Sequence, residues 1–399
     1  MPQDAVTRCI SNRWLQGDGV RHYANLRQSF MLGRLIDSDK MLWLQHHRAA
    51  TPHAEVIMAA VRNLARAALR RFHREPSRQL DAGLFAGARL DVDGLEAEGV
   101  VPVSTVAPFH NSIGDLSTAQ VTQEYLARRG CPSYLTSFWD HDHPHIVIGG
   151  GEIIGAPVAG PWTHVKPTFL PHGQHVLNAV GVNRDVLRLD LAMLRNYRYV
   201  AVRDPVGAEI LADGAGIEPS VTPCPATLQP GIPLAVLSAL PRFERLARLR
   251  PGDYVVVHRH PSLIPAALRL ARARHPVVVV DMQAHARHGW FPTGLVLPWT
   301  HSPMVVQGLV DSARAVLTSS LHLAIFAIGA GTPFAAIDSR NPQSDKVRRY
   351  LRRAGLEDAI GRDVDLEMAL AMRERVTSAT TVERAAATAH LERILAAVA

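Results

Sequence analysis

Cysteine is scarce. The three present, Cys9, Cys131 and Cys224, are odd in number, far apart and in no metal-like spacing. That pattern argues against both a disulfide framework and a zinc site, and it fits a reducing cytosol. Lysine is nearly missing: of 43 basic residues only Lys40, Lys166 and Lys346 are lysines. The positive charge is therefore almost all guanidinium. An Ala/Arg-biased genome accounts for this plainly. Handling of phosphate or carboxylate would account for it too, because Arg forks match both anions, and the net charge of +7 fits either reading. Nucleic acid is not among the expected partners. No uninterrupted apolar run reaches the length that spans a bilayer. The first residues, MPQDAVTRCISNRW, have no apolar segment of a secretory signal. No internal repeat or low-complexity tract stands out.

The composition that remains, 47% hydrophobic and 20% charged, is that of a globular chain and argues against disorder. At 399 residues the chain exceeds one ordinary core, so two domains are expected. Residues 1–98 read as a mainly helical extension. In Val61–Pro76, Arg62, Arg66, Arg70 and Arg74 recur at helical spacing, with Leu64, Leu69 and Phe72 largely on the other side. A solvated helix face is the plain reading. A basic amphipathic helix resting on the inner face of an anionic membrane is the alternative.

From Val100 the pattern changes to apolar runs alternating with helical periodicity. VVPVSTVAPF, PHIVIGGG and RYVAV read as strands, with helices through LSTAQVTQEYLARRG and PVGAEILADGAG. Prolines crowd between Pro219 and Pro241, where an interdomain linker is expected. A second series follows in DYVVVHRH, HPVVVVDMQ, GLVLPWT, ARAVLTS and PFAAID, and the chain closes on a helix. The expectation is an α/β protein with two Rossmann-like domains facing a cleft, over 99–225 and 226–399, with ligands beyond the carboxyl ends of the strands.

Candidate site residues sit at those ends. SSLHLAIFAIG reads as a helix capped by Ser319 or Ser320, with His322 in its first turn. The positive end of the helix dipole would favour an anion there and would keep the imidazole neutral. A core histidine bonded to a carbonyl is an equal alternative. Gly150 and Gly151 would let a backbone come close to a ligand or a neighbouring chain, although IVIGGGEIIG is not a G-x-G-x-x-G fingerprint. Asn111 and Asp115 open a helix, where either Asp115 or Ser117 is the N-cap or Asp115 is a carboxylate facing an acceptor hydroxyl. Arg203 and Asp204 end a strand, as a cleft guanidinium or as a surface ion pair. His258, Arg259 and His260 alternate sides if the strand continues and all reach the cleft if it has ended. Trp139–His145 carries several histidines and aspartates, but their spacing fits no zinc pattern.

Taken in order, HNSIGD, IVIGGGEII, VAVRDPVGAEIL, PCPATL and TSSLHLAIFAIGAGTPFAAI, with Lys346 and Gly355–Leu356 downstream, resemble the polysaccharide pyruvyl transferase family from about Val103 to Leu356. The resemblance implies a fold like that of two-domain GT-B glycosyltransferases. It also implies phosphoenolpyruvate as co-substrate, no cofactor or metal, and an acceptor that is a surface polysaccharide or its lipid-linked precursor. His322 matches the family's catalytic histidine and Arg203 its donor-binding arginine. Many members read Ser-Arg-Leu-His where this chain has Ser319–Ser320–Leu321–His322, and others carry serine there. A charge-assisted hydrogen bond is worth roughly 1.5–3 kcal/mol, and Arg259, Arg340 or Lys346 are the expected substitutes. Asp115 is expected to act with His322. Ser319, Ser320, Gly150 and Gly151 would complete the donor site, and Asn111, His258 and His260 would serve the acceptor. Two other functions fit the same fold: a nucleotide-sugar glycosyltransferase using Asp281 or Asp338 for the ribose, and a non-catalytic glycan-binding relative.

Overall fold

Runs of valine, bounded by turns, build the frame of the molecule. The computed structural model describes residues 102–107, 112–136, 144–154, 174–183, 192–283, 291–297, 302–337 and 345–399. The expected helix at 61–76, Asn111, the histidines of the 139–143 loop, Asp338 and Arg340 lie outside the described residues. All that follows belongs to the unit Leu90–Ala399.

The first half comprises strands β1 (Val103–Val106), β2 (Ser133–Thr136), β3 (His145–Gly149), β4 (Gln174–Val180), β5 (Tyr199–Val202) and β6 (Ser220–Val221), with helices α1 (Ile113–Arg128) and α2 (Pro205–Ala215). The second comprises α3 (Leu234–Ser238), β7 (Val255–His258), α4 (Ile264–Arg272), β8 (Val277–Val280), β9 (Leu295–Val296) and α5 (Pro303–Asp311). It continues through β10 (Ala315–Thr318), α6 (Leu321–Ala330), β11 (Phe334–Ile337), α7 (Lys346–Arg353), β12 (Ile360–Gly361), α8 (Leu366–Ala371) and α9 (Arg373–Val398). Both sheets are parallel throughout, in the orders β2-β1-β3-β4-β5-β6 and β12-β11-β10-β7-β8-β9. The expected two-sheet α/β architecture is therefore present. Strands β2, β4, β6 and β12 have no counterpart among the expected strands.

Local chemistry explains the elements. Val255–Val257 and Val277–Val280 are buried on both faces, as central parallel strands require. Helix α2 starts at Pro205, whose missing N–H costs nothing at that position. Asp204 Oδ1 accepts from the Gly207 amide at 2.9 Å, and Gly216 stops the helix at φ +63°. The proline-rich crossing between the halves is not an exposed tether. Cys224, Ala226 and Thr227 are buried in it, and the expected boundary at 225/226 falls inside a short 3-10 turn, Pro225–Leu228.

Helix α9 was expected to belong with the second sheet, but it is shared. Near its start, Thr380 Oγ1 donates to the Ile328 carbonyl at the end of α6, at 2.7 Å. Its last turns bury Leu391, Ile394, Ala397 and Val398 against Val103, Val147 and Val176 of the first sheet and Val121 and Leu126 of α1. Twenty-six residues at about 1.5 Å each give it the reach to cross. A polar seam aligns this docking. His390 Nε2 donates to Asn178 Oδ1 (2.8 Å), Tyr199 Oη donates to His390 Nδ1 (3.0 Å), and Asn178 Nδ2 donates to Thr122 Oγ1 (2.8 Å). Among the described residues no helix is long and apolar enough to cross a membrane.

Candidate active site

Strand order decides where a ligand can enter. In the first sheet the winding reverses between β1 and β3, and in the second between β7 and β10. At such switch points the loops beyond adjacent strands leave in opposite directions and open a crevice. Asp115 follows β1, Gly150 and Gly151 follow β3, His258 ends β7, and Ser319, Ser320 and His322 follow β10. The two switch points face each other. The Ile113 amide at the start of α1 donates to the Met282 carbonyl just beyond β8 at 3.0 Å, and Ser112 bridges to Gln283.

The starts of α1 and α6 meet here, and glycine permits it. A Cβ on Gly114 would lie 1.8 Å from His322 Cγ, and one on Gly150, already at φ +79°, would lie 2.8 Å from Asp115 Cα. The result sets His322 Nε2 3.7 Å from Asp115 Oδ1. Both side chains are buried, and among the described residues neither of those two atoms has a hydrogen-bond partner. Burial raises the Asp115 pKa to about 6, although the Ser112 hydroxyl, Arg203, Lys346 and the Gly151 amide pull the other way. Burial also drives His322 well below the ordinary histidine value, and Arg203 and Lys346 add to the depression. At neutral pH the pair is thus a neutral imidazole beside a carboxylate. The N-cap of α1 is Ser112, whose Oγ accepts from the Asp115 amide at 3.5 Å, rather than Asp115 or Ser117. Ser320 occupies the N-cap of α6 as expected, but its Oγ makes no capping bond. Its amide donates to Thr318 Oγ1 at 2.8 Å instead.

Two cations converge on this pair. Arg203 is not a surface residue: it is 1% exposed, and its guanidinium lies so close over Gly181 that a Cβ there would come within 2.4 Å of a terminal nitrogen. Gly181 follows an irregularity in β4, where the register against β5 shifts and Ala179 takes φ +50°. Arg203 Nε has no hydrogen-bond partner among the described residues. Lys346 opens α7, and its pKa is lowered by burial first and then by Arg203, against the opposing pull of Glu152 and Asp115. Arg349, one turn further on, was not anticipated. It is buried and contacts Glu152, Asp204 and Asp345.

The remaining expected residues divide. His258 Nδ1 lies 2.8 Å from Ser319 Oγ, which ties the two across the second switch point. The rings of His258 and His260 stack with centroids 5.9 Å apart. Arg259 goes the other way, with Nη1 on Asp281 Oδ2 at 3.0 Å, so the alternation of a strand persists past its end. That ion pair commits Arg259, an expected substitute at the donor site, and Asp281, the carboxylate of the nucleotide-sugar reading, to each other. No cluster suited to a metal occurs among the described residues.

Fold and site together define an α/β protein with two parallel sheets whose facing switch points bring together a buried imidazole–carboxylate pair and the cations Arg203 and Lys346. The profile of the polysaccharide pyruvyl transferase family matches residues 113–341, more than half of the chain, and the chain belongs to that family. Asp115, Arg203 and His322 fall inside the match, whereas Lys346 and Arg349 lie just beyond it. None of the curated proteins matches the chain in sequence. Among solved structures, an uncharacterised protein of Klebsiella pneumoniae aligns over 70% of this chain and 99% of its own, at 11% identity and a TM-score of 0.40. A UDP-GlcNAc 2-epimerase of Methanocaldococcus jannaschii covers 71% and 92%, at 11% identity and 0.38. The glycosyltransferase SnogD of Streptomyces nogalater covers 77% and 89%, at 13% identity and 0.38. Likeness of this degree carries no functional argument.

Proposed function

We propose that the protein transfers pyruvate from phosphoenolpyruvate to two hydroxyls of a surface polysaccharide or its lipid-linked precursor, forming a cyclic ketal. The observation that carries this reading is the His322–Asp115 pair, with Nε2 and Oδ1 buried, 3.7 Å apart and without a hydrogen-bond partner among the described residues, within electrostatic reach of Arg203 and Lys346. Arg203 and Lys346 hold the donor's carboxylate and phosphate, and the start of α6 at Ser319–Ser320 adds its dipole. Asp115 accepts a hydrogen bond from the acceptor hydroxyl. Neutral His322 takes that hydroxyl's proton and relays it to the methylene carbon as the oxygen bonds to C2. Phosphate then leaves with its electron pair and C2 becomes oxocarbenium-like. The second hydroxyl closes the ketal and its proton goes to phosphate. General acid–base help of this kind contributes about 10²–10⁴-fold. His258, hydrogen-bonded to Ser319 of the donor side at the second switch point, serves the acceptor, with His260 stacked beyond and Asn111 from the first half. Residues 61–76 would dock on an anionic membrane, the surface on which a lipid-linked acceptor resides.

The test is transfer of labelled pyruvate from phosphoenolpyruvate to a lipid-linked or polysaccharide acceptor fraction. His322→Ala is expected to keep its fold and lose at least two orders of magnitude. Turnover close to that of the parent protein eliminates the assignment. The rate should rise with pH through about 6 as Asp115 ionises. It should fall again before the ordinary lysine range, as Lys346, with its lowered pKa, loses its charge.

A further inference from the structure

Among the described residues around Arg349, the carboxylates Asp115, Glu152, Asp204 and Asp345 outnumber the cations Arg203, Lys346 and Arg349. Whether an anion is welcome therefore depends on how these charges are shared out. Asp204 follows Arg203 in sequence, yet its Oδ1 caps α2 and also meets Arg349 Nη1, at 3.3 Å. Glu152, just past the glycines of β3, meets Arg349 Nη2 at 2.9 Å. Asp345, next to Lys346, meets Arg349 Nε at 2.9 Å. Arg349 Nη1 also donates to the Val182 carbonyl beyond β4, at 3.1 Å. The loops beyond β3, β4 and β5 thus all converge on a single guanidinium from α7. Among the described residues, Lys346 and Arg203 form no ion pair.

We propose that Arg349 is a positioning residue that collects Glu152, Asp204 and Asp345, so that Arg203 and Lys346 stay unpaired and available to an anionic ligand. Arginine suits the task because its planar fork can face several carboxylates at once, whereas an ammonium is a point charge. The same contacts tie α7 to the first sheet and so hold Lys346 within electrostatic reach of the His322–Asp115 pair. The charged groups sensed by the Lys346 ammonium are Arg203, Arg349, Glu152 and Asp115. Loss of Arg349 would release Glu152 to pair with it. The inference rests on the donor-binding role given to Arg203 and Lys346, but its test needs no transfer activity.

The chain contains only three lysines, Lys40, Lys166 and Lys346. Reductive ¹³C-methylation of the full protein therefore gives a sparse spectrum in which Lys346→Arg identifies the Lys346 signal. In Arg349→Met that signal is expected to titrate at a distinctly higher pH than in the parent protein. Binding of inorganic phosphate, followed by calorimetry, is expected to weaken at least tenfold. Adding Glu152→Gln to Arg349→Met should bring back much of both. A helix merely torn loose would not be mended by removing a carboxylate, so failure of that rescue overturns the proposal. So does an unchanged Lys346 titration in folded Arg349→Met. If the methionine variant does not fold, Arg349→Lys keeps the charge without the fork. Partial shifts in the same direction support the proposal, and behaviour like the parent's overturns it. Intact phosphate binding with no response to phosphoenolpyruvate would instead count against the proposed reaction while leaving the role of Arg349 standing.

Discussion

Two buried histidines show how the crevice differs from the seam beneath the terminal helix. His322 and His390 are both shielded from water, and burial lowers the pKa of each. His390 has both ring nitrogens engaged, on Asn178 and Tyr199. Among the described residues His322 Nε2 has no hydrogen-bond partner, and it faces an Asp115 Oδ1 that has none either. Neutral imidazole is the common state. In the seam its hydrogen-bonding capacity is spent on packing α9, whereas in the crevice it is held in reserve. An unsatisfied buried polar atom costs about 1–3 kcal/mol, and a fold retains such atoms where something else is to bind.

Exchanging the two roles gives the largest expected effect. His322→Ala should abolish transfer and barely move the unfolding midpoint. His390→Ala should leave the chemistry within a few fold and cost about 2–4 kcal/mol in denaturant unfolding, through Asn178 and Tyr199 left unpaired. Gly114→Ala comes next. Its methyl would need the space of the His322 ring, so the ring or the helix start must shift. A displacement of about 1 Å can cost on the order of a hundredfold, and the expected loss is between ten- and a hundredfold in kcat with the fold retained. Equal activity would mean that the imidazole position does not matter.

The acid response separates the regions more finely. The folded-state pKa of His390 is depressed from 6.5 to about 3. The unfolded chain therefore binds the extra proton first, and stability falls as pH drops across that window, by up to roughly 1.4 kcal/mol per unit. Asp115 acts in the opposite sense. Its pKa is raised from 3.8 to about 6, so the folded state takes up the proton first and stability is regained as pH falls from about 6 to 3.8. The two slopes oppose each other in wild type. Asp115→Asn should remove the crevice contribution. That would raise stability at pH 7 by about 1–3 kcal/mol while impairing transfer, and would steepen the acid loss between about pH 6 and 4. The smallest effect is expected from His390→Gln, which should lessen the remaining slope without removing it, because His322 is depressed as well and contributes in the same sense. Only a slope unchanged by His390→Gln would place the origin of the acid loss outside the seam.

Much of the frame can be read from local pattern. The valine runs of β7 and β8, the glycine stop after α2 and the serine-headed start of α6 each follow from preferences that act within a few residues. The position of His322 at the carboxyl end of a strand followed from the same signals. Strand β4 was not among the expected strands, because QHVLNAV interrupts its apolar run with Asn178, a residue that turns out to serve the seam. Arg349 was hidden for a different reason. In KVRRYLRR four arginines look alike, and the usual guide, an apolar stripe facing inward, marks Val347 and Leu351 instead. Arg349 and Tyr350 are buried along with Val347 and Leu351, and what singles out Arg349 is the pair of carboxylates, Glu152 and Asp204, that follow strands of the first sheet. Asp204 likewise read as Arg203's surface partner, and its true partner lies 145 residues away.

The sequence alone determined most of the element types, the two-sheet class, the family motifs and the placing of an imidazole at a helix start, since each depends on hydrogen bonds and packing between near neighbours. Only the tertiary structure decided which strands adjoin, and hence where two switch points face each other, which glycines admit a neighbouring helix, and which cation gathers the carboxylates. Those outcomes depend on contacts between residues far apart in the chain, and no local pattern encodes them.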